Sequence, residues 1–342
     1  MGLTLEAARN LVRRPGGMDA TECTSFLDVL MSGRLQAEEG ASLLVSLAER
    51  GETGIEVAAF VRGLLGRAAP LAFPHDTMDV CGTGGSGLTR FNVSTTVAFI
   101  LAAGGVAVAK HGNRGSARAN GSFDLLDALE IPFNHDPDAL VRLQRECHLC
   151  FLFARSVHPA VSVVAPYRKA AGRRTIFNLA GPLANPARPV QQIIGVINER
   201  SGRVIAEAVR LLGVRRACVV WGGPGIDEAS ITGPTRYLIS DARGTLEGSL
   251  APLHPDLEHE ELPGGEATEN ATIFRRLVEG DDTGPIGDMV AINAGIAFDL
   301  WDGRLPAIDG PGVERARRLL ADGQVAALVD RYQALAKQLA RP

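Results

Sequence analysis

The chain has no apolar run long enough to span a bilayer: the longest, Val97 to Ala109, is short and interrupted by Gly104 and Gly105. The N-terminus lacks the apolar core of a secretory signal, so no membrane role is expected. Cysteine is scarce. Cys23, Cys81, Cys147, Cys150 and Cys218 are odd in number and scattered, which excludes a disulfide framework and fits a reducing compartment, with the cytoplasm the expected location. Cys147 and Cys150 form a CxxC without a second pair at zinc-like spacing, inside an apolar run, and read as buried structural residues. Charge of one sign is also missing. A net charge of −4 and a pI near 6.0 give no global attraction to nucleic acid or anionic membranes, so any affinity for phosphate must be local and its ligand small. No repeat or low-complexity segment occurs.

What is present is enough for a large core. With 342 residues, 46% of them hydrophobic, the chain can form two domains or one large domain with an appendage. Leu5 to Val12, Cys23 to Met31, Ala37 to Ala48 and Gly54 to Leu65 place apolar residues at three- and four-residue spacings and predict helices. Pro70-Leu71-Ala72-Phe73-Pro74 then breaks the pattern. Beyond it, Thr77 to Val80, Val106 to Lys110, Gln191 to Val196, Ala217 to Trp221 and Met289 to Asn293 are candidate strands with helices between them. The fold class expected is α/β: a small helical domain, residues 1–73 joined in space by about 156–188, and a larger domain, 74–155 with 189–342, around a mostly parallel central sheet. Ligands of such sheets bind at the carboxyl ends of the strands.

Two loops stand out in the α/β part. The first reads Cys81-Gly82-Thr83-Gly84-Gly85-Ser86-Gly87 and continues Phe91-Asn92-Val93-Ser94-Thr95-Thr96; the second reads Lys110-His111-Gly112-Asn113-Arg114-Gly115-Ser116. Glycines let a backbone approach an anion, and hydroxyl and amide side chains at a helix start add donors beside its free N–H groups. Tight turns are the plainer reading of the glycines alone, but four polar or cationic side chains arriving together in the second loop favour a phosphate site.

From His158 to Pro189 the rhythm changes. Ala160 to Ala171 reads as a helix, and Asn178 to Pro186 holds too many Gly, Asn and Pro residues for a plain core element; this region is expected to pack on the N-terminal helices and wall a cleft facing the loops. Arg168 on that helix either reaches into the cleft or lies on a solvated face with Lys169, Arg173 and Arg174. After the strand ending at Trp221, Asp227-Glu228 is either a solvated turn or a carboxylate pair suited to a hard cation such as Mg²⁺.

Together these stretches resemble the anthranilate phosphoribosyltransferases, from Met31-Ser32-Gly33 nearly to the C-terminus. The resemblance rests on Gly82-Thr83-Gly84-Gly85, Asn92-Val93-Ser94-Thr95, Lys110-His111-Gly112-Asn113-Arg114, Arg174 to Asn178 with Gly181-Pro182-Leu183 and Asn185-Pro186, and Asp227-Glu228 followed by Thr232 to Thr235. It implies transfer of a phosphoribosyl group from phosphoribosyl pyrophosphate to the amine of anthranilate in tryptophan synthesis, with Mg²⁺, in a homodimer formed through the helical domain. It also implies a donor site of Gly82, Gly85, Asn92, Ser94, Thr95, Lys110, Asn113 and Ser122, with Ser86, Arg90, Val93, Gly112 and Arg114 in the same loops. Ser94, Asp227 and Glu228 are implied as metal ligands; Gly82, Asn113 and Arg168 fall on acceptor positions, with His111 and His158 lining the cleft. Lys110, Asn113 and Arg168 carry the implied catalytic roles.

The chain departs from the family pattern around the donor. Ser86 stands where an Asp is usual, Arg90 where a small hydroxyl is usual, Ala117 and Arg118 replace two serines, and Trp221 replaces a common His. These changes make the pocket more positive and leave open a different aromatic acceptor. A pyrimidine nucleoside phosphorylase shares the fold but leaves Asp227-Glu228 unexplained, and a nucleic-acid-binding relative would need a continuous basic face.

Overall fold

The computed structural model describes residues 3–69, 71–84, 88, 90–115, 119–281 and 284–340. Four helices open it: α1 (Leu5–Arg13), α2 (Ala20–Met31), α3 (Ala37–Arg50) and α4 (Gly54–Leu65). Their starts follow from side chains that accept the orphan N–H groups of a first turn. Asp19 and Glu22 form a reciprocal cap on α2, and Thr53 and Glu56 do the same on α4.

The sheet is built from β1 (Met78–Gly82), β2 (Val108–Gly112), β3 (Leu149–Phe153), β4 (Gln191–Gly195), β5 (Arg216–Gly222), β6 (Thr235–Asp241) and β7 (Gly244–Leu250), in the order β3-β2-β1-β4-β5-β6-β7. Strands β1 to β5 pair in parallel; β6 and β7 add an antiparallel hairpin at one edge. The strand order reverses between β1 and β4, which creates a crevice at their carboxyl ends.

Helices cover both faces. On one lie α5 (Val93–Ala103), α6 (Ser122–Ala128) and α7 (Pro137–Cys147), with α12 (Ala267–Val278), α13 (Pro285–Trp301), α14 (Pro311–Ala321) and α15 (Gln324–Leu339). On the other, the first four helices share a core with α9 (Ala165–Ala171), α10 (Ile176–Leu183), α11 (Glu199–Leu212) and the sheet residues Ile194, Val219 and Leu238. A four-residue helix, α8 (Ala154–Val157), leads from β3 toward α9. Helix α9 packs on α3, and α10 on α4.

Three expectations need correction. Met289 to Asn293 is not a strand: it lies inside α13, a helix buried on nearly all sides, where an apolar run has no visible period. The helix expected over Ala160 to Ala171 is a 3₁₀ turn, Pro159–Val164, followed by α9, with Pro166 in the first turn of the latter. The Gly- and Pro-containing stretch from Asn178 is mostly helical and buried, as α10. Cys147 and Cys150 are buried free thiols, with left-handed His148 turning the chain from α7 into β3. No helix among the described residues is long and apolar enough to cross a membrane.

Candidate active site

Four neighbouring parallel strands end in glycine: Gly82 on β1, Gly112 on β2, Gly195 on β4 and Gly222 on β5. Three of them are required by one crossing segment. A Cβ on Gly195 would lie 1.7 Å from the Asp227 carbonyl oxygen, one on Gly82 would lie 2.3 Å from Asp227 Oδ2, and one on Gly222 2.7 Å from the Glu228 carbonyl oxygen. Bare strand ends therefore let the Asp227-Glu228 backbone lie across the crevice. Asn293, the polar residue in apolar α13, fastens this segment: its amide accepts from Ala229 N and donates to Ala229 O, both at 2.9 Å.

Alternation along β2 sends Lys110 and His111 to opposite faces of the sheet. Lys110 is buried, with Nζ donating to the Val80 carbonyl at 2.6 Å, and burial lowers its pKa against the pull of Asp79. Asp79 is pushed up to about 6 by burial despite Lys110 and a 2.9 Å hydrogen bond from Asn185. Burial, with His158 and Lys110 nearby, brings His111 down to about 3 and keeps it neutral. Its ring stands edge-on to His158, whose Nε2 is 2.6 Å from the Ala184 carbonyl oxygen.

Around the crevice are two adjoining cavities. One, of about 390 Å³, is lined by Gly82, Gly84, Arg90, Asn92, Val93, Ser94, Lys110, Asn113, Arg114, Ser122, Asp227 and Glu228. The other, of about 520 Å³, has apolar walls from Leu64, Val161, Phe177 and Pro182 and polar groups from His111, His158 and Arg168. Gly82, Thr83, His111, Gly112, Asn113 and Arg168 border both. Thr95 is fully buried behind the first cavity, at the start of α5. Gly85, Ser86, Ala117 and Arg118 lie outside the described residues.

Each cavity has a distinct chemistry. Asn92 leaves the start of α5 without a side-chain cap because its own side chain is used elsewhere, donating to Asn120 O at 2.7 Å and accepting from Asn270 at 2.8 Å. Gly84 takes positive φ and donates its N–H to Asp227 Oδ2 at 2.6 Å. Arg90 donates to Asp227 and, at 3.3 Å, to Glu228. Burial raises Glu228 to about 7, and its Oε2 has no partner among the described residues. Arg114, on the wall of the first cavity, is already paired with Asp124 at 3.1 Å and Asp127 at 2.5 Å. In the apolar cavity, Arg168 stacks 5.7 Å from the Phe177 ring centroid, and burial alone lowers its pKa, with no carboxylate among the described residues to counter it.

Sequence reasoning missed the supports. Asn270, Asn293 and Arg174, which donates to Gly84 O, hold the loops in place. A polar residue inside an otherwise apolar helix was the available signal for Asn293.

Two carboxylates plus the Ser94 hydroxyl suit a hard cation that fills its remaining positions with water and phosphate oxygens. Among the described residues no cluster of three His, Cys, Asp or Glu side chains offers a complete cage.

A parallel sheet with a polar crevice at its switch point defines a class, and residues 74–326 match the family described as glycosyl transferase family, a/b domain. An anthranilate phosphoribosyltransferase of Rubrobacter xylanophilus is 38% identical over 322 residues, 93% of this chain and 94% of that protein. One from Thermus thermophilus is 39% identical over 321 residues, 93% and 95% of the two. A crystal structure of the anthranilate phosphoribosyltransferase from Thermus thermophilus matches with a TM-score of 0.86 at 38% identity, covering 96% of this chain and 99% of that one. The Saccharomyces cerevisiae enzyme solved with PRPP and Mg shares the fold, with a TM-score of 0.87 at 23% identity over 98% of each chain. The chain belongs to the anthranilate phosphoribosyltransferase family.

Proposed function

We infer that the chain transfers the phosphoribosyl group of phosphoribosyl pyrophosphate to the amine of anthranilate, releasing pyrophosphate, as a step of tryptophan synthesis in the cytoplasm. One observation carries this reading: a polar cavity at the glycine-ended strands opens into an apolar cavity that holds a half-buried Arg168 with no ion-pair partner among the described residues. A pyrophosphate-bearing sugar fits the first; a flat aromatic acid fits the second.

The loop N–H groups, Asn92, Ser94 and Ser122 bind the donor, with Thr95 supporting them from behind. Lys110 sets a positive charge beneath it. Arg168 takes the acceptor's carboxylate, His111 and His158 wall the ring, and Asn113, on the border of both cavities, aligns the amine with the sugar carbon. Ser94, Asp227 and Glu228 would hold Mg²⁺, which when bound neutralises charge on the leaving pyrophosphate. An aromatic amine attacks through its neutral lone pair, so no strong base is required.

This division of labour assigns the acceptor wall to residues 1–73 with about 156–188 and the donor site to 74–155 with 189–342. A homodimer through the helical part completes the reading, and light scattering of the purified chain tests it. For the reaction, anthranilate fluorescence should fall when donor and Mg²⁺ are added, and the gene should restore growth to a tryptophan auxotroph lacking this step. A folded chain that consumes no anthranilate would overturn the acceptor assignment.

A further inference from the structure

Arg90 stands where the donor cavity meets the carboxylate pair. Its backbone is fixed, with the carbonyl accepting from Asn270 Nδ2 at 3.0 Å and Phe91 beside it in the core. One guanidinium nitrogen, Nη1, donates to Asp227 Oδ1 and also, at 3.3 Å, to Glu228 Oε1. The remaining Asp227 oxygen, Oδ2, is taken by the Gly84 N–H. Side-chain exposures of 17% for Arg90, 5% for Asp227 and 14% for Glu228 leave little water to screen the three charges.

Two adjacent acidic side chains in so dry a place favour a cation beside them, since a buried charge left without a partner is strongly destabilising. Arg90 supplies it permanently, because a guanidinium does not deprotonate. It occupies one oxygen of each carboxylate, so a divalent ion held by both acids would have to displace it. Guanidinium also binds phosphate oxygens through paired hydrogen bonds, so an arriving pyrophosphate is a competing partner for it.

We propose that Arg90 is a built-in counter-cation for Asp227 and Glu228: it excludes a divalent ion from the donor-free chain and passes to the donor's pyrophosphate when the donor binds. This rests on the assignment of Asp227 and Glu228 as metal carboxylates. The consequence is that metal enters with the donor and not before it.

The experiment measures binding, not turnover. Mn²⁺, standing in for Mg²⁺, is titrated into the donor-free chain and followed by its electron paramagnetic resonance signal. Arg90→Thr should bind Mn²⁺ at least about tenfold more tightly than wild type, as expected for unmasking a partly buried charge pair. Arg90→Lys, which keeps the charge, should stay within about threefold of wild type on the same grounds. Circular dichroism establishes that both are folded. Calorimetry with phosphoribosyl pyrophosphate in chelator should then show about a tenfold loss of donor affinity in Arg90→Thr, the scale of one charge-assisted contact. Unchanged or weaker Mn²⁺ binding in Arg90→Thr, or equal gains in the Thr and Lys variants, would overturn the masking; undiminished metal-free donor affinity would overturn the transfer to pyrophosphate. Adding Asp227→Asn and Glu228→Gln to Arg90→Thr separates the underlying assignment: if the tightened Mn²⁺ binding survives, these carboxylates are not the metal site.

Discussion

At the scale of single residues, the two arginines of the site contrast. Arg90 is balanced by Asp227 and Glu228, whereas Arg168 is half-buried against Phe177, with desolvation as the one influence on its pKa. An uncompensated guanidinium in a desolvated cavity gains most from an incoming carboxylate. Arg168→Ala should therefore raise the KM for anthranilate by the equivalent of about 1.5–3 kcal/mol, the worth of a hydrogen bond to a charged group, and leave donor affinity nearly unchanged. Steady-state kinetics with each substrate varied in turn, beside donor calorimetry, checks this. A fall in donor affinity instead would make Arg168 a phosphate ligand and misplace the acceptor. Arg168 also shows a limit of sequence reasoning, because Lys169 on its helix and Arg173 and Arg174 just beyond made a solvated basic face the simpler reading. Its place on the cavity wall and its stacking on Phe177, contributed by the next helix, separate it from the exposed Lys169 and Arg173 and from Arg174, which is spent on Gly84 O.

At the scale of elements, legibility followed burial pattern. The four parallel strands β1, β2, β4 and β5 were readable within one or two residues because strands covered on both faces are short, nearly continuous apolar runs. β6 and β7 were not readable: Thr235–Asp241 alternates with Arg and Ser, and Gly244–Leu250 is a largely exposed edge with few apolar residues. β3 was legible as an apolar run but not as a strand, since nothing in Leu149–Phe153 announces its partner β2. The phosphate loops were legible as chemistry, yet the reason for glycine at three strand ends was not, because the segment that crosses them is more than a hundred residues distant in the case of β1. That reason is testable. A Cβ on Gly195 meets a backbone oxygen at 1.7 Å, so Gly195→Ala should displace Asp227 and weaken both donor and Mn²⁺ binding, with a clear fall in Tm. Gly213→Ala is the control: Gly213 has φ of 74° but open space around it, so strain of about 1 kcal/mol should lower Tm modestly and leave binding intact. Donor affinity in Gly195→Ala equal to wild type would refute the role of the bare strand ends.

At the scale of the whole molecule, the sheet separates two layers that contribute different halves of the site. The layer holding α5, α12 and α13 carries the donor loops and their asparagine supports; the layer holding α3, α4, α9 and α10 carries the apolar wall and Arg168. The second wall is set by packing far from any ligand. Gly40 on α3 lies under the Tyr167 ring of α9, and the Tyr167 hydroxyl donates to Leu35 O at 3.3 Å. A Cβ at Gly40 would come within 2.3 Å of Tyr167 Cγ, an atom close to the backbone that cannot swing aside. Gly40→Ala must therefore push α9 outward, and Arg168, the next residue after Tyr167, moves with it. Misplacing a binding group by about 1 Å can cost up to a hundredfold, so the KM for anthranilate should rise on the order of tenfold. Donor affinity should change less, by no more than about threefold, because the donor loops and their asparagine supports sit on the other layer and only the residues bordering both cavities couple the two. Replacing Tyr167 by Leu in the Gly40→Ala background should restore part of the loss by making room for the new methyl group. An unchanged KM in folded Gly40→Ala would mean that α9 does not fix Arg168, and an equal loss of donor affinity would mean that the two layers move as one body around the crevice.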